Sequence, residues 1–168
     1  MKRSLLERAK LARRISETPP DPSWEQFRRD WTAFNAIYTG TKRSGDSEDG
    51  MVNRAILKFF DDADASACLN DIPADAVKAL LRLPPGDDRF TPADPKYRAK
   101  TKALAAVYAS GATASEKLSA LMRVVYQVRS NMIHGEKDPD FWRDKSLVAA
   151  CAPITNMFIR HLTKILGA

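Results

Sequence analysis

The chain is poor in the residues that metal and redox chemistry use. Of its 168 residues only Cys68 and Cys151 are cysteine, and only His134 and His161 are histidine. There is no CxxC pair, which excludes a zinc finger or a thioredoxin-like centre. Two lone cysteines fit reduced thiols in a cytoplasm. The opening MKRSLLERAKLARR has no uncharged apolar stretch, so it does not read as a secretion signal. An apolar run of 18 residues is missing as well, so no membrane-spanning helix is expected. No acidic cluster has a plausible ligand order. Asp61, Asp62 and Asp64 read as a solvated helix end, and neither a metal nor a cofactor is expected. Alternating strands are absent too, and so is any internal repeat.

Charge is present but unevenly spread. Lys and Arg number 27 against 21 Asp and Glu, a net charge of +6. Residues 1–14 hold six bases, from Lys2 to Arg14, against Glu7, so +5 of that excess lies in the first 14 positions. Leu5, Leu6, Leu11 and Ile15 interleave with the bases, giving a basic, weakly amphipathic helix over 1–17. Such an arm either attracts phosphates or docks its leucines on the main body. TPPDP at 18–22 breaks it, and a second unit, 18–168, follows.

That unit has the helical period nearly throughout. Trp24, Phe27, Trp31, Phe34 and Tyr38 are spaced 3, 4, 3, 4, one apolar helix face opened by Asp21-Pro22 and a Ser23…Gln26 pair. A polar loop is expected at 39–50, then a helix over 51–62 carrying Met51, Val52, Ala55, Ile56, Phe59 and Phe60. Pro73 opens a short helix through Val77, Leu80 and Leu81, which PPGDD at 84–88 ends. Asp94-Pro95 starts another, bearing Tyr97, Leu104, Val107 and Tyr108. Thr113…Glu116 is a capping box for a helix over 114–134, and the last helix runs about 144–166 with a kink expected at Pro153. Together these give an all-α antiparallel bundle with a long C-terminal hairpin.

One helix breaks its own pattern. Leu118, Met122, Val125, Arg129 and Met132 are spaced 4, 3, 4, 3, so a guanidinium stands on the stripe that should be buried. That is costly unless Arg129 is paired, or the face meets a partner or a polar ligand. His134 and Gly135 follow, at what reads as the helix end. Five residues turn an ideal helix by about 140°, so Arg129 and His134 converge only if the chain bends near His134. Two readings stand. In one, His134 is a C-terminal-turn histidine and Arg129 caps carbonyls or pairs with a carboxylate. In the other, Arg129 binds phosphate as a fork and His134 moves protons near neutral pH.

VYQVRSNMIHGEK at 125–137, closing one helix and leading into a long last one, resembles the HEPN superfamily. That family's hallmark is an Arg, four to six residues, then a His, on the penultimate helix of an all-α bundle; Arg129 and His134 match it. Trp31 and Phe34-Asn35-Ala36-Ile37-Tyr38 resemble an early-helix pattern of prokaryotic members. The likeness spans about residues 22–166, with 125–137 its specific part. Many active members carry Asn, Asp or His directly after the Arg. Here that residue is Ser130, with Asn131 one step on, and either can donate to a phosphate oxygen.

The resemblance implies a metal-independent endoribonuclease, commonly a toxin or phage-defence effector, in which two chains face one cleft. His134 would then be the acid–base group and Arg129 the phosphate binder, with Asn131, Ser130, Lys137 and Asn35 as supporting contacts. A homodimer brings two copies of His134, whereas His161 sits beside the Phe158/Leu162/Ile165 stripe and reads as a packing histidine. The rivals are a non-catalytic HEPN-like bundle that binds a nucleotide or a partner such as a nucleotidyltransferase antitoxin, and a nucleic-acid binder acting through its basic arm alone.

Overall fold

The computed structural model describes residues 21–87, 89–133 and 141–167. The expected helix at 1–17, together with His134 and Lys137, lies outside them. Among the described residues there are seven α-helices and no strand, so the chain is an all-α bundle.

Helix α1, Pro22–Tyr38, is started by Asp21, whose side chain accepts from the Ser23 amide at 2.8 Å, with Pro22 at the first helical position. Asp21 is the cap, and the Ser23…Gln26 pair plays no part in it. Phe27, Trp31, Phe34 and Tyr38 are buried as their spacing demands. Phe34 meets Phe158 edge-on at 4.7 Å between ring centres, and Phe60 stacks on the same ring at 5.2 Å. These rings join α1 to the last helix at the centre of a single apolar core.

The loop expected at 39–50 is only partly a loop. Thr39–Thr41 form a 3-10 turn, and α2, Glu48–Phe59, begins earlier than its apolar residues suggest. Ser47 caps it, accepting from the Gly50 amide at 3.1 Å, which puts Glu48 and Asp49 in the first turn. Carboxylates there are favoured by the helix dipole. The helix also ends before the expected 62, because Phe60 turns extended and Asp61 caps a new helix.

That helix, α3, Asp62–Asp71, was not expected at all. Its composition is small and acidic, and only Ala65 and Cys68 are buried, so it shows almost no apolar face. Asp61 accepts from the Asp64 amide at 2.8 Å, so this acidic run is a helix start on the surface. Helix α4, Ala74–Arg82, follows Pro73 as expected.

Asp94-Pro95 opens a 3-10 turn, Pro95–Arg98, rather than the helix itself, and α5 is Ala99–Ala109. Only Thr101 and Leu104 of α5 are buried; Tyr97 lies before it and Tyr108 is exposed. Helix α6, Ala114–Ile133, has the expected capping box. The Thr113 amide donates to Glu116 at 2.9 Å, and the Glu116 amide donates to the Thr113 hydroxyl at 3.3 Å. Helix α7, Trp142–Ile165, continues through Pro153 and buries Leu147, Cys151, Ile154, Phe158 and Leu162. Helix α1 packs chiefly on α7, while α6 takes α2, α3 and α5. The end of α6 therefore lies where α1 and the start of α2 also reach.

Candidate functional site

Arg129 stands near the C-terminal end of α6 and is not left facing apolar groups. Its Nη1 lies 2.9 Å from Glu48 Oε1 and 3.0 Å from Oε2. The two side chains keep 19% and 30% of their surface exposed, so the pair is shielded but reachable from solvent. Of the resolutions open to an arginine on a buried stripe, pairing with a carboxylate is the one realised.

Glu48 holds more than the arginine. Its Oε1 accepts a short hydrogen bond from the Tyr38 hydroxyl, and Oε2 one from Tyr126 at 3.4 Å. Burial raises the Tyr38 pKa far above the ordinary phenol range, and the Glu48 carboxylate adds to the shift. Burial also raises Tyr126, again with help from Glu48, while Ser130 beside the Tyr126 hydroxyl acts the other way. Both phenols therefore stay protonated donors near neutral pH. Tyr38 on α1, Glu48 on α2 and Tyr126 and Arg129 on α6 make one polar knot where three helices meet.

Beyond Arg129 a cleft of about 320 Å³ opens between α1 and the end of α6. Trp24, Phe27, Trp31 and Met132 make its apolar walls, and Asn35 and Arg129 line it together. The volume suits a small aromatic ligand such as a nucleobase. Ile133, which lines it, is 61% exposed.

The sequence-derived site residues thus divide. Arg129 and Asn35 come together at this cleft. Ser130 is half-buried against Tyr126. Asn131, expected as a supporting contact, is buried: its Nδ2 donates to the Gly86 carbonyl at 2.7 Å, and its Oδ1 accepts from Gln127 at 2.8 Å. It ties α6 to the loop after α4. His134 and Lys137 lie outside the described residues. His161 is held by Asp71 at 2.8 Å, a tie between the ends of α7 and α3. Among the described residues no group of three or more His, Cys, Asp or Glu is placed to hold a metal ion, and no helix is long and apolar enough to cross a membrane.

Glu48 is the residue that sequence reasoning missed. Ser47-Glu48-Asp49 is a helix-start signal, but it sat inside a stretch read as loop. No family model matches the chain, and no curated protein or solved structure matches it either.

Proposed function

We propose that the protein is a HEPN-type endoribonuclease, working without a metal in the cytoplasm as a toxin or defence effector, with its cleft completed by a second copy of the chain. The observation that carries this reading is the setting of Arg129. A guanidinium on the penultimate helix is oriented by Glu48, reaches solvent, and borders an apolar cleft large enough for a base. In this reading Arg129 holds the scissile phosphate and steadies its developing charge. The 2′-oxygen forms a bond to phosphorus while the bond to the 5′-oxygen breaks. His134 of one copy accepts the 2′-hydroxyl proton, and His134 of the other gives a proton to the leaving oxygen. The products are a 2′,3′-cyclic phosphate and a 5′-hydroxyl. The exposed Ile133 at the rim of this cleft supports a partner chain beside it.

One observation favours a second reading, a non-catalytic bundle that binds a nucleotide or a nucleotidyltransferase-type partner. Arg129 already has a carboxylate, and Asn131 is tied to Gly86. The test is end-labelled mixed RNA incubated with the purified protein in EDTA. The endoribonuclease gives cyclic-phosphate ends, and His134→Ala and Arg129→Ala each lower the rate by about 10²–10³-fold in folded protein. A chain that cuts no transfer, messenger or ribosomal RNA, yet binds a nucleotide through Arg129, is the binding module instead. A gel-filtration mass of one chain would remove the composite cleft.

A further inference from the structure

A second concave site lies on the other side of the α2 N-terminus. It is a cleft of about 240 Å³ between the loop after α4, the start of α5 and the middle of α6. Its described lining brings four cations, Arg89, Lys96, Lys100 and Arg123, against two carboxylates, Asp49 and Asp87. That is 4 − 2, or +2, in one small concavity. Outside the first 14 residues the whole chain carries only 6 − 5, or +1. The described lining of this cleft is thus a local positive surplus on a body that is close to neutral.

The gathering is built and not incidental. Asp87 is buried and grips Arg89 through Nε at 2.8 Å and Nη2 at 2.6 Å. Arg89 itself stays 75% exposed, so its position is set while its outer face is open. Asp49 takes Arg123 at 2.8 Å and stands 3.7 Å from the Lys100 ammonium. Lys100 is only 15% exposed, donates to Gln127 at 2.8 Å, and lies over the Tyr126 ring. Burial lowers its pKa, Asp49 and Asp87 oppose that shift, and Arg89 and Arg123 add to it. The cost of holding Lys100 here is that of burial, which the two carboxylates offset in part. Lys96 sits over the Phe90 ring at 5.6 Å, which leaves its ammonium at the mouth.

Gly86 shows that the loop is fitted closely. A Cβ there would stand 2.0 Å from the Tyr97 ring, so the backbone lies directly under that side chain. The Asp87 amide also donates to the Tyr97 carbonyl at 2.8 Å, and Gly86 takes the Asn131 amide. The loop that carries Arg89 is thereby fastened to α6, the helix that carries Arg129.

We infer that this cleft is an anchoring site for the phosphodiester backbone of a single RNA strand, separate from Arg129 and without sequence preference. The inference rests on the reading that the protein acts on RNA. Cations set at fixed points in a concavity, with the aromatic edges of Phe90 and Tyr97 beside them, are the usual means of tracking a strand. Arg123 in this cleft and Arg129 in the other stand six residues apart on α6, so the two sites lie on different faces of one helix.

The probe is a fluorescent 2′-O-methyl RNA of about twelve nucleotides. It lacks the attacking hydroxyl, so its binding is read whether or not the protein cuts RNA. Wild type is expected to bind with a strong salt dependence. Arg89→Gln with Lys96→Gln should weaken binding about tenfold and make the log–log salt slope shallower by about 1.4, near 0.7 for each lost phosphate contact. Lys58→Gln with Lys164→Gln removes the same charge from exposed positions elsewhere and should change affinity less than about twofold. If the double variant loses its thermal transition, Lys96→Glu alone decides, since that exposed side chain lies at the mouth. Equal losses in the two pairs, or no binding by wild type, would overturn the inference. Cleavage that persists while strand binding ignores the cleft overturns this site and leaves the ribonuclease standing; binding through the cleft without cleavage does the reverse.

Discussion

Glu48 and Asp49 are neighbours in one helical turn, yet they organise two unlike surfaces. Glu48 faces a single guanidinium and two phenols, and the result is a shielded, charge-matched knot beside an apolar cleft. Asp49 faces Arg123 and Lys100 with Arg89 close by, and cations outnumber carboxylates. A carboxylate with one cation orients it. A carboxylate shared among several leaves a surplus that an anion can meet. The first arrangement suits a group that must point one way, and the second suits a surface that must attract.

The sharpest way to break this comparison is to remove each acid in turn. Glu48→Ala strips the acceptor from the fully buried Tyr38 and leaves Arg129 unpaired at 19% exposure. An orphaned buried donor costs about 1–3 kcal/mol and a half-desolvated charge adds to it, so the expected loss is about 3 kcal/mol. Asp49→Ala should cost less, about 1 kcal/mol, because Arg123 is 40% exposed and reaches water and Lys100, 3.7 Å away, keeps its bond to Gln127. Urea unfolding of both variants checks the order. Equal losses would mean that Glu48 is no more than a surface partner.

Gly86→Ala probes the loop that builds the basic side. The new methyl group meets the outer end of the Tyr97 ring, which can swing away. Stability should fall by about 1 kcal/mol, with little change at the Glu48 knot. Faster amide exchange confined to 85–98 would show it, and protection lost at Tyr38 and Glu48 as well would show that the two surfaces are one unit.

These two surfaces also mark how far the sequence could be read. The aromatic stripe of α1, the Thr113…Glu116 box and the α6 face were all legible, because each is written within a few residues of itself. Helix α3 was not, since Ala65 and Cys68 alone make no visible stripe. The strain at Arg129 was visible as a charge out of place. Its answer was not, for Glu48 lies 81 residues away. The tie of Asn131 was hidden for the same reason: its partner, the Gly86 carbonyl, is 45 residues upstream. Local patterns announce a conflict, and only the fold supplies the group that resolves it.

Alkali should separate the two surfaces by sign, with effects on the order of 1 kcal/mol. Tyr38, facing Glu48 and Arg129, has its pKa raised by burial first and then by Glu48. The folded protein keeps that proton above pH 10, where the unfolded chain gives it up, so the stability Tyr38 contributes is complete below pH 10 and drains away above it. Tyr126 and the buried Cys68 thiol, pushed up to about 12, act in the same direction. Lys100, facing Asp49, Asp87, Arg89 and Arg123, is the opposite case. Burial lowers its pKa below the ordinary 10.5, so the unfolded chain binds the proton more tightly and stability rises with pH across that gap. Urea midpoints between pH 9 and 11 should therefore fall less steeply for Tyr38→Phe than for wild type, and more steeply for Lys100→Met. Two variants with the wild-type slope would show that neither group is held as the contacts around Glu48 and Asp49 require.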